Sequence, residues 1–518
     1  MLQKNVKYRE EEMVKNILQC LEKTAEKYPN KVAFADVTRE VNYETFVKNA
    51  QTVGSFITDK TEKTNTPIVI FMDKTVNCLE TMMGVVYSGN FYTIIDTKSP
   101  MERIKNIMQT LKPVAVLTDE KNLKKAEMIE IFENIFVYEE MLKETIKKEE
   151  LQKIRDKAID TDPMYVLFTS GSTGVPKGTV VSHRSVIAYS NWVVETFEIS
   201  KDTIFGSQTP FYFSMSILDI FATMQSGATF YIIPKMYFSF PVKLLDFMKE
   251  KEINTIYWVP SALGLVANLG ALEEVRVPSL QKILFAGEVM PVKQLNKWIK
   301  HYPDAMFANL YGPTEVTDIC AYYVVNRKFA DNETLPIGKA CNNCDLLVIK
   351  DDQTMAKQGE EGELYVRGSF VADGYYANPE KTASAFVQNP LNKQYPEKVY
   401  KTGDIVKYND LGELIYISRK DFQIKHMGYR IELGEIETAI NSIDDVIACA
   451  CIYDQEQSKI VLYYQSDKIE ENSMAILAEQ KLLPYMRPNK IICLSKMPYN
   501  ANGKIDRVKL KKMWKGEE

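Results

Sequence analysis

The stretch Tyr165-Val166-Leu167-Phe168-Thr169-Ser170-Gly171-Ser172-Thr173-Gly174-Val175-Pro176-Lys177-Gly178 decides the reading of this chain. An apolar run with the character of a buried strand enters a loop of glycine, serine and threonine that closes on Lys-Gly. Gly171 and Gly174 let the backbone approach an anion, and successive N–H groups in such a loop form an anion-binding nest. The hydroxyls of Thr169, Ser170, Ser172 and Thr173 add donors, and Lys177 adds positive charge. This is not a Walker A loop, because the glycine spacing and the Gly-Lys-Ser/Thr ending are missing. A lone Gly/Ser-rich turn is usually only a loop. The whole ten-residue combination behind a strand is far more specific and points to a phosphate-bearing ligand.

Around this loop the chain alternates strand and helix patterns. Val14, Ile17, Leu18 and Leu21 recur at helical spacing within 11–27, and KVAFAD (31–36) reads as a strand. Residues 43–57 read as a helix, PIVIFM (67–72) as a buried strand and FYTIID (91–96) as another. A charged stretch, 143–157, reads as a solvated helix. A second alternating region runs from about 163 to 320, which predicts an α/β fold with mainly parallel sheets. From about 321 the segments LLVIKDDQ, GELYVRG and GELIYISRK predict a small β-rich subdomain. The pattern changes again near 418–421, and the last ~100 residues suffice for one small α+β domain.

Composition agrees. The 518 residues are 45% hydrophobic and 26% charged, with 64 basic and 69 acidic side chains and a net charge of −5. That balance suits a globular chain and offers no broad basic surface for nucleic acid. MLQKNVKYREEEMVKN lacks the apolar core and cleavage site of a signal peptide. No run approaches the ~18 apolar residues of a membrane span. The pairs Cys341/Cys344 and Cys449/Cys451 lack enough histidines to complete a zinc site, so a reduced cytoplasmic monomer is expected.

Further segments share the order of a known superfamily. They are Asn309-Leu310-Tyr311-Gly312-Pro313-Thr314-Glu315, Gly362-Glu363-Leu364, Tyr400-Lys401-Thr402-Gly403-Asp404, Arg419-Lys420-Asp421-Phe422-Gln423-Ile424-Lys425, Gly428-Tyr429-Arg430-Ile431-Glu432 and Asn502-Gly503-Lys504-Ile505-Asp506-Arg507. With TSGSTGVPKG, the chain resembles the adenylate-forming superfamily of acyl-CoA synthetases, luciferases and nonribosomal peptide synthetase adenylation domains. Asn191-Trp192-Val193-Val194-Glu195, Gly287-Glu288-Val289 and Asp421–Lys425 bring it nearest the stand-alone D-alanine–carrier protein ligases.

The resemblance implies an ATP-dependent, AMP-forming acid–thiol ligase. A core over 1–417 would carry the ATP and acyl sites, 418–421 would be a hinge centred on Asp421, and 422–518 a mobile lid with the catalytic Lys504. Glu315 would hold Mg²⁺, with Thr314 and Thr169 on phosphate oxygens. Tyr311 would stack on adenine, with Gly287 and Glu288 lining the slot and Asn309 and Gly312 nearby. Asp404 would accept the ribose hydroxyls beside Arg419. Ser418 replaces the usual glycine before that arginine.

The acyl pocket departs from the family most. Its lining would be Phe213, Ser214, Met215, Leu218, Tyr257, Leu284, Ala286, Leu310, Asp318 and Ile319. Ser214 stands where α-amino-acid enzymes keep an aspartate for the substrate ammonium, and a neutral hydroxyl cannot replace that charge. Asp219, five residues on, should face elsewhere on a helix. Asp318 occupies a position that is usually uncharged. Either it turns outward or pairs locally, or it is a relocated carboxylate for a distal ammonium, as in β-alanine, or for a phenol, as in 4-hydroxybenzoate. Eleven residues follow Arg507, with no serine-bearing carrier segment and no His-His-x-x-x-Asp-Gly motif. The acceptor is therefore expected to be the 4′-phosphopantetheine thiol of a separate carrier protein, with D-alanine as acid or free coenzyme A as acceptor the alternatives.

Overall fold

The computed structural model describes residues 14–61, 63–129, 134–171, 175–420, 423–499 and 505–517. Two large, mainly parallel sheets face a shared apolar core. In one, the strands run in the order 339–340, 321–324, 306–311, 282–286, 255–258, 204–207, 229–232, 32–35 and 40–42. The six from Met306–Tyr311 to Val32–Ala35 are parallel, and antiparallel strands close both edges. The other sheet orders 374–375, 177–182, 163–169, 91–94, 67–71, 115–118 and 135–137. The Tyr43–Thr61 and Val76–Tyr87 helices pack almost backbone to backbone: a Cβ on Gly84 would lie 2.4 Å from Val53, and one on Gly54 would lie 2.6 Å from Tyr87.

The β-rich region is an antiparallel sheet built from Cys344–Ile349, Gly362–Gly368, Lys398–Tyr408 and Phe386–Gln388, with Leu414–Arg419 added on Lys398–Tyr408. Its last strand ends at Arg419 and the next begins at Gln423, where the pattern shift was read. Beyond lie a two-stranded hairpin and a three-stranded sheet with apolar clusters of their own, around Ile436 and Leu462 and around Ala450 and Leu510.

Two helix readings change. The first helix is Ile17–Lys27, entered through an Asn16–Gln19 capping box that satisfies its first N–H groups. The 143–157 stretch is helical only over Lys148–Lys157. The Lys147 N–H donates to Ser55 Oγ at 2.9 Å, which fixes the chain just before the helix starts. Only Leu151 of that helix is buried, so its charged face is solvated. Among the described residues, no helix is long and apolar enough to cross a membrane.

Candidate active site

The phosphate-type loop joins two antiparallel strands in which Thr169 pairs with Lys177. Ser172, Thr173 and Gly174 lie outside the described residues. Thr169 Oγ1 is buried with no hydrogen-bond partner and lines the central cavity. Ser170 Oγ donates to the Arg430 carbonyl at 3.1 Å. A Cβ on Gly171 would meet the Val175 carbonyl at 2.0 Å, so only glycine fits the turn.

Lys177 points across the loop to Glu315, with Nζ 3.1 Å from Oε1. Glu315 is fully buried on the turn after the Met306–Tyr311 strand. It accepts from the Tyr375 hydroxyl at 2.8 Å and from Arg430 Nη1 at 2.6 Å. Burial alone would raise its carboxyl, but Arg430 and Lys177 overcome burial and hold it well below the usual carboxylate range. Burial and the nearby Arg430 push the Lys177 ammonium down, although Glu315 supports it.

Asp404 and Arg419 are direct partners on paired strands, with Nη1 donating to Oδ1 at 2.7 Å. The Tyr311 hydroxyl donates to the other oxygen. Both oxygens of Asp404 thus carry a protein donor, and ribose hydroxyls would need their remaining lone pairs. Lys425 Nζ lies 5.1 Å from the Tyr311 ring centre, on the ring expected to take adenine. Burial lowers the Lys425 ammonium.

Two expected slot residues have other roles in this geometry. The Asn309 amide donates to the Pro336 carbonyl at 2.8 Å, so Asn309 braces the strand and does not line the cavity. Gly287 and Gly312 do line it. Glu288 turns its carboxylate to the Ser261 N–H at 2.8 Å and the Gly428 N–H at 2.9 Å.

That last contact comes from the C-terminal hairpin, Gln423–His426 against Tyr429–Glu432. Met427 and Gly428 both have positive φ (52° and 79°), which makes a tight hairpin turn. Its tip is pressed against the core: a Cβ on Gly428 would lie 2.4 Å from Val259. Tyr429 stacks on Tyr485 at 3.7 Å and meets Phe213 edge-on at 4.9 Å. An Arg103–Glu435 ion pair also joins the C-terminal region to the core. Lys425, Arg430, Arg103, Tyr375 and Tyr485 were not assigned roles from sequence. Arg430 and Lys425 stood inside quoted motifs, but nothing in the sequence marked Tyr375 or Tyr485.

The cavity itself measures about 90 Å³. Phe213, Ser214, Met215, Ala286, Asp318 and Ile319 line it as expected for the acyl pocket. Leu218, Tyr257, Leu284 and Leu310 do not; they are fully buried one layer behind, in the core between the sheets. Ser214 Oγ is 3.3 Å from Thr314 Oγ1. Asp318 turns inward. Thr317 takes φ 71° and ψ −62° while the Asp318 N–H reaches the Val316 carbonyl at 2.8 Å. This γ-turn is a strained conformation costing about 1–3 kcal/mol. Asp318 Oδ2 then accepts from Tyr189 at 2.7 Å and Tyr257 at 3.1 Å. Asp318 thus pairs with local donors and also lines the cavity. Asp219 does face elsewhere, but it is fully buried rather than solvated.

A family model for "AMP-binding enzyme" matches residues 21–376. The chain belongs to the AMP-binding enzyme family. It is therefore an ATP-dependent, AMP-forming ligase. A D-alanine–D-alanyl carrier protein ligase of Bacillus cytotoxicus is 29% identical over 511 residues, covering 95% of this chain and 98% of the relative. Tyrocidine synthase 1 of Brevibacillus parabrevis is 30% identical over 500 residues, 95% of this chain and 44% of its own length. Among solved structures, the Vibrio cholerae adenylation domain AlmE, in complex with glycyl-adenosine-5′-phosphate, superposes with a TM-score of 0.83 at 21% identity. That likeness covers 97% of this chain and 98% of AlmE, and it concerns the fold.

Proposed function

We propose that this AMP-binding enzyme activates a small carboxylic acid whose polar group lies away from the carboxylate, and loads it onto the 4′-phosphopantetheine thiol of a separate carrier protein in the cytoplasm. The observation that carries the acid assignment is the exchange of polar positions in the cavity. Ser214, at the Thr314 end, is neutral, and of the two carboxylates lining the cavity Asp404 is paired with Arg419, which leaves Asp318 for the acid. The acid's carboxylate attacks the α-phosphorus of ATP and pyrophosphate leaves. The thiol, losing its proton, then attacks the acyl carbon and AMP leaves. The carrier-protein ligase among the relatives supports a carrier as acceptor. A chain that instead releases soluble acyl-coenzyme A, leaving a phosphopantetheinylated carrier unmodified, would overturn this acceptor.

The nucleotide end of the cavity is lined by Arg419, Lys425 and Arg430, with Lys177 behind them on Glu315, and this positive charge suits phosphate groups. Thr169 Oγ1, buried without a partner, fits a phosphate oxygen. Glu315 is an ionised oxygen donor of the kind Mg²⁺ prefers. A bound Mg²⁺ would neutralise phosphate charge. In this pose, however, Arg430 and Lys177 hold the Glu315 oxygens, so Arg430 must withdraw before Glu315 can serve a metal. Withdrawal moves the hairpin, and with it the C-terminal region, about the proposed hinge at Asp421. Asp421 and the proposed catalytic Lys504 lie outside the described residues. The pose with the hairpin inserted is assigned to thioester formation, and the opposite pose, with Lys504 in the site, to adenylation.

This assignment gives a hinge prediction. Asp421→Pro fixes φ near −65° and removes a backbone donor. Locked in the adenylating pose, the variant is expected to retain ATP–pyrophosphate exchange while thioester formation collapses. Normal thioester formation by this variant would remove Asp421 from the hinge.

A further inference from the structure

We infer that the acid's distal group is an ammonium, held by Asp318 and Gln208, so that the substrate class is the ω-amino acids. The inference rests on the reading of this cavity as the acid-activating site and narrows it.

Charge balance is the first argument. Two fully buried carboxylates, Asp318 on the cavity wall and Asp219 behind it, lie close enough to repel each other. The buried Lys74 ammonium is matched to Asp219: Lys74 Nζ donates to Ser207 Oγ at 3.0 Å and to the Ser207 carbonyl at 3.1 Å, and Asp219 engages the same Ser207 hydroxyl. Asp318 has phenols at one oxygen and no cation beside it among the described residues. A buried carboxylate without a counter-charge is costly, so an ionised Asp318 leaves the site one positive charge short.

Unmet hydrogen bonding is the second argument. Gln208 and Thr209 line the same cavity, and Gln208 Oε1 and Thr209 Oγ1 are buried with no hydrogen-bond partner. Ser207 pairs with Tyr257 at the end of its strand, and Gln208 follows it into the wall of the cavity that Asp318 also lines. A carboxylate and an amide oxygen only accept. An ammonium brings three N–H donors and the missing charge. A phenol brings one O–H donor and no charge, and Asp318 already holds two phenols.

Around Asp318 stand Tyr189, Tyr257 and Tyr165, the Asp219 carboxylate and the Cys341 thiol. Burial pushes Asp318 up to about 7 against the hydrogen bonds from Tyr189 and Tyr257, and Asp219 adds to the rise. The carboxylate therefore forms as pH rises through that value. The KM for an ω-amino acid should fall between pH 6 and pH 8, and that for a phenolic acid should not.

The test is ATP–pyrophosphate exchange by the full chain with β-alanine and 4-aminobutyrate, with 3-hydroxypropanoate as hydroxyl isostere, and with 4-hydroxybenzoate. The expected result is kcat/KM at least about 100-fold higher for an amino acid than for the hydroxyl isostere, as a buried charge partner implies. Asp318→Asn should reduce that preference by about 100- to 1,000-fold through KM, leaving the KM for ATP unchanged. The wild-type isostere comparison stands even where the variant fails to fold. Exchange supported best by 4-hydroxybenzoate or 3-hydroxypropanoate would overturn the ammonium while keeping the distal-polar reading. Exchange confined to α-amino acids would overturn both. An Asp318→Asn enzyme with the wild-type preference would also overturn the inference.

Discussion

Lys504→Ala is expected to cut ATP–pyrophosphate exchange by about 10²–10³ while leaving folding intact. The size follows from removing one preorganised charge that stabilises the transition state. The family resemblance places Lys504 between the acid carboxylate and an adenylate oxygen during the first half-reaction. A point-charge ammonium on a flexible stem suits that bridging task. Folding should survive because one lysine in the polar sequence Asn502-Gly503-Lys504 contributes little to an apolar core. Transfer from preformed acyl-adenylate to the thiol should survive much better than exchange, because the pose proposed for that step has Arg430 and Lys425 of the inserted hairpin at the site. Single-turnover transfer and pyrophosphate exchange, measured on one preparation, separate the two. An equal loss in both would count against domain alternation.

Glu315→Gln should be comparably damaging, and for two separable reasons. Its buried carboxylate neutralises the part-buried Lys177 and Arg430, and breaking such a pair typically costs about 3–5 kcal/mol. The variant should therefore unfold at lower denaturant, and its exchange activity should fall with the loss of the proposed metal ligand. The pH dependence has a definite sign. The folded carboxyl is held below its unfolded value, so its contribution is full above the unfolded pKa of about 4.3 and is lost as pH falls towards the folded one. The stability gap between wild type and Glu315→Gln should be flat from pH 8 to about 5 and narrow only at lower pH. A gap that closes near neutral pH would mean that Glu315 is not the ionised partner of Arg430.

The parts of this protein that were legible in its sequence are local. The strand that runs into the loop after Thr169, the alternation that builds two mainly parallel sheets, and the change of pattern near Arg419 all depend on neighbours in the chain. What was not legible depends on contacts between distant residues. Glu315 meets Arg430 across 115 positions, and Asp318 meets Tyr189 across 129. Helical spacing turned Asp219 away from the cavity, but it could not show that Lys74, in the loop after the Pro67–Phe71 strand, meets it. Leu218, Tyr257, Leu284 and Leu310 were one layer off because motif spacing fixes position along a strand or helix, not depth behind a wall. The γ-turn at Thr317, which aims Asp318 inward, has no composition cue, since threonine rarely takes positive φ.

The most direct test of the account is ATP–pyrophosphate exchange by the wild-type chain with a panel of acids. The panel should contain D-alanine, glycine and common L-amino acids alongside β-alanine and 4-hydroxybenzoate. The account predicts that an acid with its polar group away from the carboxylate supports exchange at least about tenfold better than any α-amino acid, because Ser214 leaves an α-ammonium without a charge partner. Exchange driven best by D-alanine would contradict it, and would mean that some other group holds the α-ammonium.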